Sequence, residues 1–186
     1  GDHGFAVTNT GDATTITGSN QADTITGGED ADSIVGGGGA DSIVGGGGAD
    51  TLTGGDGNDV FVFDTSTDTG STTGPGVTIT DFDTVMDFVS GSDKLKLGVA
   101  AVARGSEGFN YIEANSASTT FAEAQNRADG VFDIFGEARY VFQYVGSGDS
   151  AVGYLFINDH GDSHSDAVIK LVGIDPSKIA AGDIIL

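Results

Sequence analysis

From Gly18 onward the chain places one aliphatic or aromatic residue at every ninth position: Ile25, Ile34, Ile43, Leu52 and Phe61. Thr, Ser or Val flanks each of them, and an aspartate stands two places before: Asp23, Asp32, Asp41, Asp50 and Asp59. The units read GSNQADTIT, GGEDADSIV, GGGGADSIV, GGGGADTLT and GGDGNDVFV. A weaker unit, NTGDATTIT, precedes them with Ile16 in phase and Thr14 in the aspartate's place. Fixed-period self-similarity marks a solenoid. Each x-apolar-x triplet predicts a short strand whose apolar side chain faces one way. Each glycine pair predicts a tight turn through positive φ, with carbonyls free to face a ligand. Two units would close one coil of a flattened helix, with Ile16, Ile34 and Leu52 on one wall against Ile25, Ile43 and Phe61 on the other.

Beyond residue 64 the pattern changes. Residues 65–78 read as a Thr/Gly-rich loop, and 81–98 as two short strands around a Ser90-Gly91 turn. A helix is predicted over 120–129: Thr120 and Glu123 form a capping box, and Phe121, Ala124 and Ala128 share a face before Gly130. Strands follow at 139–145, 153–158 and 167–174, the first two as a hairpin around Gly146-Ser147-Gly148. Phe142, Tyr144, Leu155 and Ile157 are expected to build a core over the end of the solenoid, whose last coil needs a cap. The expected organisation is therefore a repeat unit over 1–64 and a capping unit over 65–186.

Charge sharpens the picture. The chain carries 28 acidic and 7 basic side chains, for a net charge of -21, and its first base is Lys94. Residues 1–93 hold fifteen Asp and Glu29, so the repeat half cannot neutralise itself. This balance argues against nucleic acid or an anionic membrane surface as partner. The absence of cysteine excludes disulfides and thiolate metal sites. No apolar run reaches membrane-spanning length, so membrane insertion is not expected, and no charged-then-apolar leader opens the sequence.

Each coil would bury about two aliphatic side chains while ordering eighteen residues and stacking aspartates, so the repeats should not fold unaided. A hard divalent cation answers both problems. Calcium takes six to eight oxygens from carboxylates and carbonyls in flexible geometry, whereas magnesium demands a strict octahedron and keeps its water. Loops on one edge are two units apart, which pairs Asp23 with Asp41, Asp41 with Asp59, and Asp32 with Asp50, giving three or more ions. Carbonyls of Gly36, Gly37, Gly38, Gly39, Gly45, Gly46, Gly47 and Gly48 would complete the shells.

These tandem GGxGxDxUx units resemble the calcium-binding RTX (repeats-in-toxin) family over roughly residues 9–64. The resemblance implies an all-β fold, a parallel β-roll, with a β-rich C-terminal cap carrying one short helix. It also implies export by type I secretion machinery, a signal at the extreme C-terminus, and folding in external calcium. Gln21 and Asp30 replace glycines, so the outermost loops should bind more weakly. DFDTVMDFVSGSDKLKLG, 81–98, is similar to the D-x-I-x-D-F-x-x-G-x-D-K-I-D-L stretch that closes such rolls in serralysin-type proteases and alginate epimerase R-modules. Asp83, Asp87 and Asp93 match its acids, and Asp87 either ligates a further ion or caps N–H groups.

NDHGDSHSD, 158–166, resembles the D-x-N-G-D-G-x-x-D loop of RTX C-terminal domains, which makes Asp159, Asp162 and Asp166 candidate calcium ligands; Asp-rich turn chemistry is the alternative. His160 and His164 lie in this loop without a helix to align them, and no HExxH occurs, which argues against zinc and removes a protease reading. Nor is there a GxSxG, a P-loop or a cysteine nucleophile. The leading expectation is a non-catalytic, secreted, calcium-binding module that carries the export signal of a larger protein in its AAGDIIL ending. A calcium-dependent assembly or anchoring domain of an S-layer protein or adhesin fits the same features. A polysaccharide-binding appendage of an extracellular enzyme would need an aromatic and basic stripe on one sheet face, and only Arg104, Arg127 and Arg139 are available for it, which counts against that reading.

Overall fold

A computed structural model describes residues 3–63, 81–98, 111–113, 118, 120–134, 140–146, 151–158, 165–174 and 179–185. Strands β1 (Ala6–Thr8), β3 (Thr24–Gly28), β5 (Ser42–Gly46) and β7 (Val60–Phe63) stack in one wall. Strands β2 (Thr15–Thr17), β4 (Ser33–Gly38) and β6 (Thr51–Asp56) stack in the other. Every neighbouring pair of these is parallel. Ile25 sits opposite Ile43, Ile43 opposite Phe61, and Ile34 opposite Leu52, so two repeat units make one coil. The aliphatic positions are fully buried between the walls, while the flanking Thr, Ser and Val face outward. Tight corners rest on glycine: Gly37 and Gly46 hold φ of 115° and 101°, a region costly for any residue with a β-carbon.

The coil extends past the repeats at both ends. β1 adds Val7 opposite Ile25. On the other side β8 (Thr84–Val85) joins β6, and β9 (Lys94–Leu97) joins β7. The two strands expected in 81–98 therefore belong to opposite walls and form one more coil, joined through the 90–92 turn with Gly91 at φ 85°.

The β8 wall then continues into the C-terminal half. β13 (Ala167–Val172) pairs with β8 in parallel, β12 (Val152–Ile157) with β13 and β11 (Tyr140–Val145) with β12 antiparallel, and β10 (Tyr111–Glu113) with β11 in parallel. Phe142, Leu155 and Ile157 join the same core as the roll, with Tyr144 packed against it. Helix α1 (Phe121–Ile134) lies on the other face of this sheet, with Thr120 Oγ1 accepting the Glu123 N–H at 3.2 Å. It runs through Gly130 rather than ending there, because the next turn buries Phe132 beside Ala124, Ala128 and Phe156. That burial outweighs the roughly 1 kcal/mol helix penalty of a glycine. The closing strand β14 (Ile184–Ile185) pairs in parallel with β9, Ile184 opposite Leu95 and Ile185 opposite Lys96.

Candidate metal centre

The D-x-U-x pattern puts each aspartate just before a strand, at the corner where the chain enters the wall. Asp23, Asp32, Asp41, Asp50 and Asp59 are all at most 4% exposed. One carboxylate oxygen of each is held by the coil before it. The Asp23 N–H donates to Asp41 Oδ1 at 2.8 Å, Asp41 to Asp59 at 2.9 Å and Asp59 to Asp93 at 3.0 Å. On the other edge Thr14 donates to Asp32 at 2.7 Å, Asp32 to Asp50 at 2.7 Å and Asp50 to Asp83 at 2.8 Å. The carboxylates thus form two columns, 23-41-59-93 and 32-50-83.

The second oxygens differ. Oδ2 of Asp32, Asp41 and Asp59 is buried and accepts no hydrogen bond. Each lies against the glycine that heads its own loop. A β-carbon on Gly36 would fall within 2.6 Å of both Asp41 Oδ2 and Gly54 O, and one on Gly27 within 2.5 Å of both Asp32 Oδ2 and Gly45 O. A carboxylate oxygen and a carbonyl from the next coil therefore converge in a space that only glycine leaves open. Two such oxygens repel unless a cation lies between them. Burial pushes the Asp41 carboxyl up, against the Asp23 N–H and with the Asp23 charge. Burial likewise raises Asp59 to about 6, against the Asp41 N–H and helped by the charges of Asp93, Asp41 and Asp87. Among the described residues no three acidic or His side chains gather on one point.

Of the glycines named from sequence, Gly45 O joins an aspartate oxygen on the Gly27 face, and Gly36 O approaches the Gly18 face in the same way. Gly37, Gly39, Gly46 and Gly48 supply positive φ, and the N–H groups of Gly38 and Gly47 donate to Ser19 O and Gly28 O. The carbonyl of Gly54 was not among the expected ligands, although it occupies the frame position of Gly36 and Gly45 two units and one unit on. Asp83 and Asp93 were not expected in the columns either; the signal was Asp83-Thr84-Val85 and Asp93-Lys94-Leu95 echoing Asp50-Thr51-Leu52 and Asp59-Val60-Phe61. Asp87 accepts the N–H groups of Gly54 at 2.9 Å and Gly55 at 2.8 Å, closing the last glycine turn. Asp166 sits just before β13, its N–H donating to Ile157 O. Asp159 and Asp162, with His160 and His164, lie outside the described residues.

A family model for the RTX calcium-binding nonapeptide repeat (4 copies) matches residues 8–43 and 35–69. No curated protein matches the chain. Among solved structures, the AlgE6R3 subunit from the Azotobacter vinelandii mannuronan C5-epimerase matches with a TM-score of 0.62 at 21% identity, over 96% of this chain and 81% of that one. The AlgE6R2 subunit of the same enzyme matches with a TM-score of 0.55 at 20% identity, over 97% and 92%. At such identities the likeness speaks for the fold.

Proposed function

Because the RTX calcium-binding nonapeptide repeat model matches residues 8–43 and 35–69, we propose that this chain is a non-catalytic module that folds when it meets calcium outside the cell. The reading takes 1–64 as the calcium-binding unit and 65–186 as its cap and the carrier of a C-terminal type I export signal. The observation that supports it best is the buried, unbonded carboxylate oxygen set beside a carbonyl of the next coil at two loop heads, Asp41 Oδ2 with Gly54 O and Asp32 Oδ2 with Gly45 O. When bound, calcium supplies positive charge between loops. The chain's own residues do the rest: the aspartates present oxygens, the glycines let the coils approach, and the N–H ladder fixes each carboxylate's orientation. The expected outcome is that chelated protein at neutral pH shows a largely unordered circular dichroism spectrum, and that millimolar calcium, but not magnesium, turns it β-rich. A full β spectrum in chelator would overturn the reading.

A second reading, a polysaccharide-facing appendage, has one observation in its favour. Thr15, Ser33, Thr51, Thr84 and Lys170 are paired neighbour to neighbour in a single row across the sheet. The structural neighbours come from an enzyme that acts on mannuronan. Retention of the calcium-loaded chain on immobilised mannuronan, lost in Lys170→Glu, would favour it.

A further inference from the structure

The 23-41-59-93 column ends differently from its middle. Asp23 Oδ2 accepts the Ser19 N–H at 2.6 Å, and its Oδ1 accepts the Phe5 N–H at 2.8 Å and the Ser19 hydroxyl at 3.2 Å. Asp93 is closed in the same manner, with Asp59 N on Oδ1 at 3.0 Å and Val89 N on Oδ2 at 2.8 Å. At both ends the N–H four residues earlier occupies the oxygen that Asp41 and Asp59 leave buried and unbonded.

The local cause at the first loop is Ser19. It stands at the frame position that Gly37 and Gly55 fill with φ of 115° and 98°, and it does not share their positive φ. A β-carbon makes that region expensive, so Ser19 keeps the ordinary backbone and its N–H comes onto Asp23. Gly36 O still approaches: a β-carbon on Gly18 would meet it and Asp23 Oδ2 within 2.8 Å. The carboxylate, however, is already spent. Burial pushes Asp23 up, yet the donors from Ser19 and Phe5 outweigh it and hold the carboxyl below its ordinary value, opposite to Asp41 and Asp59.

We infer that Ser19 closes the first loop without a cation, so that Asp23 is a structural end cap and metal on this edge sits only where Asp41 and Asp59 supply the oxygens. The inference rests on the calcium reading above. It changes what the repeat spacing alone implies, which pairs Asp23 with Asp41 as a full site.

The test is the number of calcium ions bound per full-length chain, by equilibrium dialysis with radioactive calcium at saturating free concentration, with circular dichroism to confirm folding. Asp23→Asn should keep the unmutated count, whereas Asp41→Asn should lose at least one ion. Ser19→Gly, which allows the positive φ, should gain one. Loss of an ion in Asp23→Asn, or an unchanged count in Ser19→Gly, overturns the inference while leaving calcium binding itself standing. Failure of the unmutated chain to take up any calcium would instead remove the reading beneath it.

Discussion

Gly36 does not adopt a positive φ, yet no other residue fits there. The reason is the approach of Asp41 Oδ2 and Gly54 O, both within 2.6 Å of where a β-carbon would stand. Gly38, two places on, meets nothing nearer than 3.4 Å and also keeps an ordinary φ. Four adjacent glycines that look equivalent in sequence therefore do different work: the first leaves room for oxygens, the second and fourth turn the chain, and the third is replaceable. Gly36→Ala should cost roughly 1–3 kcal/mol of calcium-loaded stability, the range for forcing extra atoms into a filled space, and should weaken calcium uptake. Gly38→Ala should be close to neutral in both. Thermal melts of the two variants in calcium check the pair; equal effects would remove the distinction.

At the scale of elements, legibility followed periodicity. The strands β2 to β7 could be read because Ile16 to Phe61 recur without a break, and the wall assignment followed from counting two units per coil. The coil over 81–98 was harder to see because residues 64–80 intervene, stretching the step between stacked aspartates from 18 residues to 33 and 34. A period search loses phase there, although the D-x-U-x chemistry persists at Asp83 and Asp93. The aspartates were legible as stacked acids at the loop ends, but their ladder of N–H bonds was not, since it joins backbone to side chain across coils. In α1 the cap and the apolar face were readable from Thr120, Glu123, Phe121, Ala124 and Ala128. Its extra turn was not, because local sequence at Gly130 favours a stop and only tertiary burial of Phe132 reverses it. Phe132→Ala should therefore cost about 3–5 kcal/mol, as for large-to-small changes at buried aromatics. Because α1 lies on the sheet face away from the roll interior, the number of calcium ions bound should not change. Melting followed by helix signal and by calcium count separates the two effects.

Across the whole molecule, the two walls run without interruption from the repeats into the C-terminal half, and the wall that starts at β1 finishes with β14 on β9. What holds that last strand is Asp183, only 2% exposed. It accepts the Ser90 hydroxyl, the Gly91 and Ala180 N–H groups at 3.0 Å each, and Lys94 Nζ at 3.1 Å. Burial alone would raise its carboxyl, but these donors outweigh it and hold it below the ordinary value. A depressed carboxylate contributes stability above its unfolded value, near 3.9, and loses it as pH falls through the lower folded one. Docking of β14 should thus be intact at neutral pH and weaken only in strong acid. Asp183→Ala should lower local protection of the Ile184 and Ile185 amides by about 2 kcal/mol, the scale of hydrogen bonds to a charged group, without moving the calcium-induced transition. The proposed export signal overlaps this strand, and the two roles differ in time. A signal must be read on the unfolded chain, before external calcium orders the roll, whereas docking on β9 follows folding. The variants separate them: deleting residues 183–186 should abolish export from a host with the cognate exporter, while Ser90→Ala, which removes one donor to Asp183 from outside the signal, should leave secretion within about twofold. Normal secretion of the deletion would remove the signal role and leave β14 as a closing strand alone.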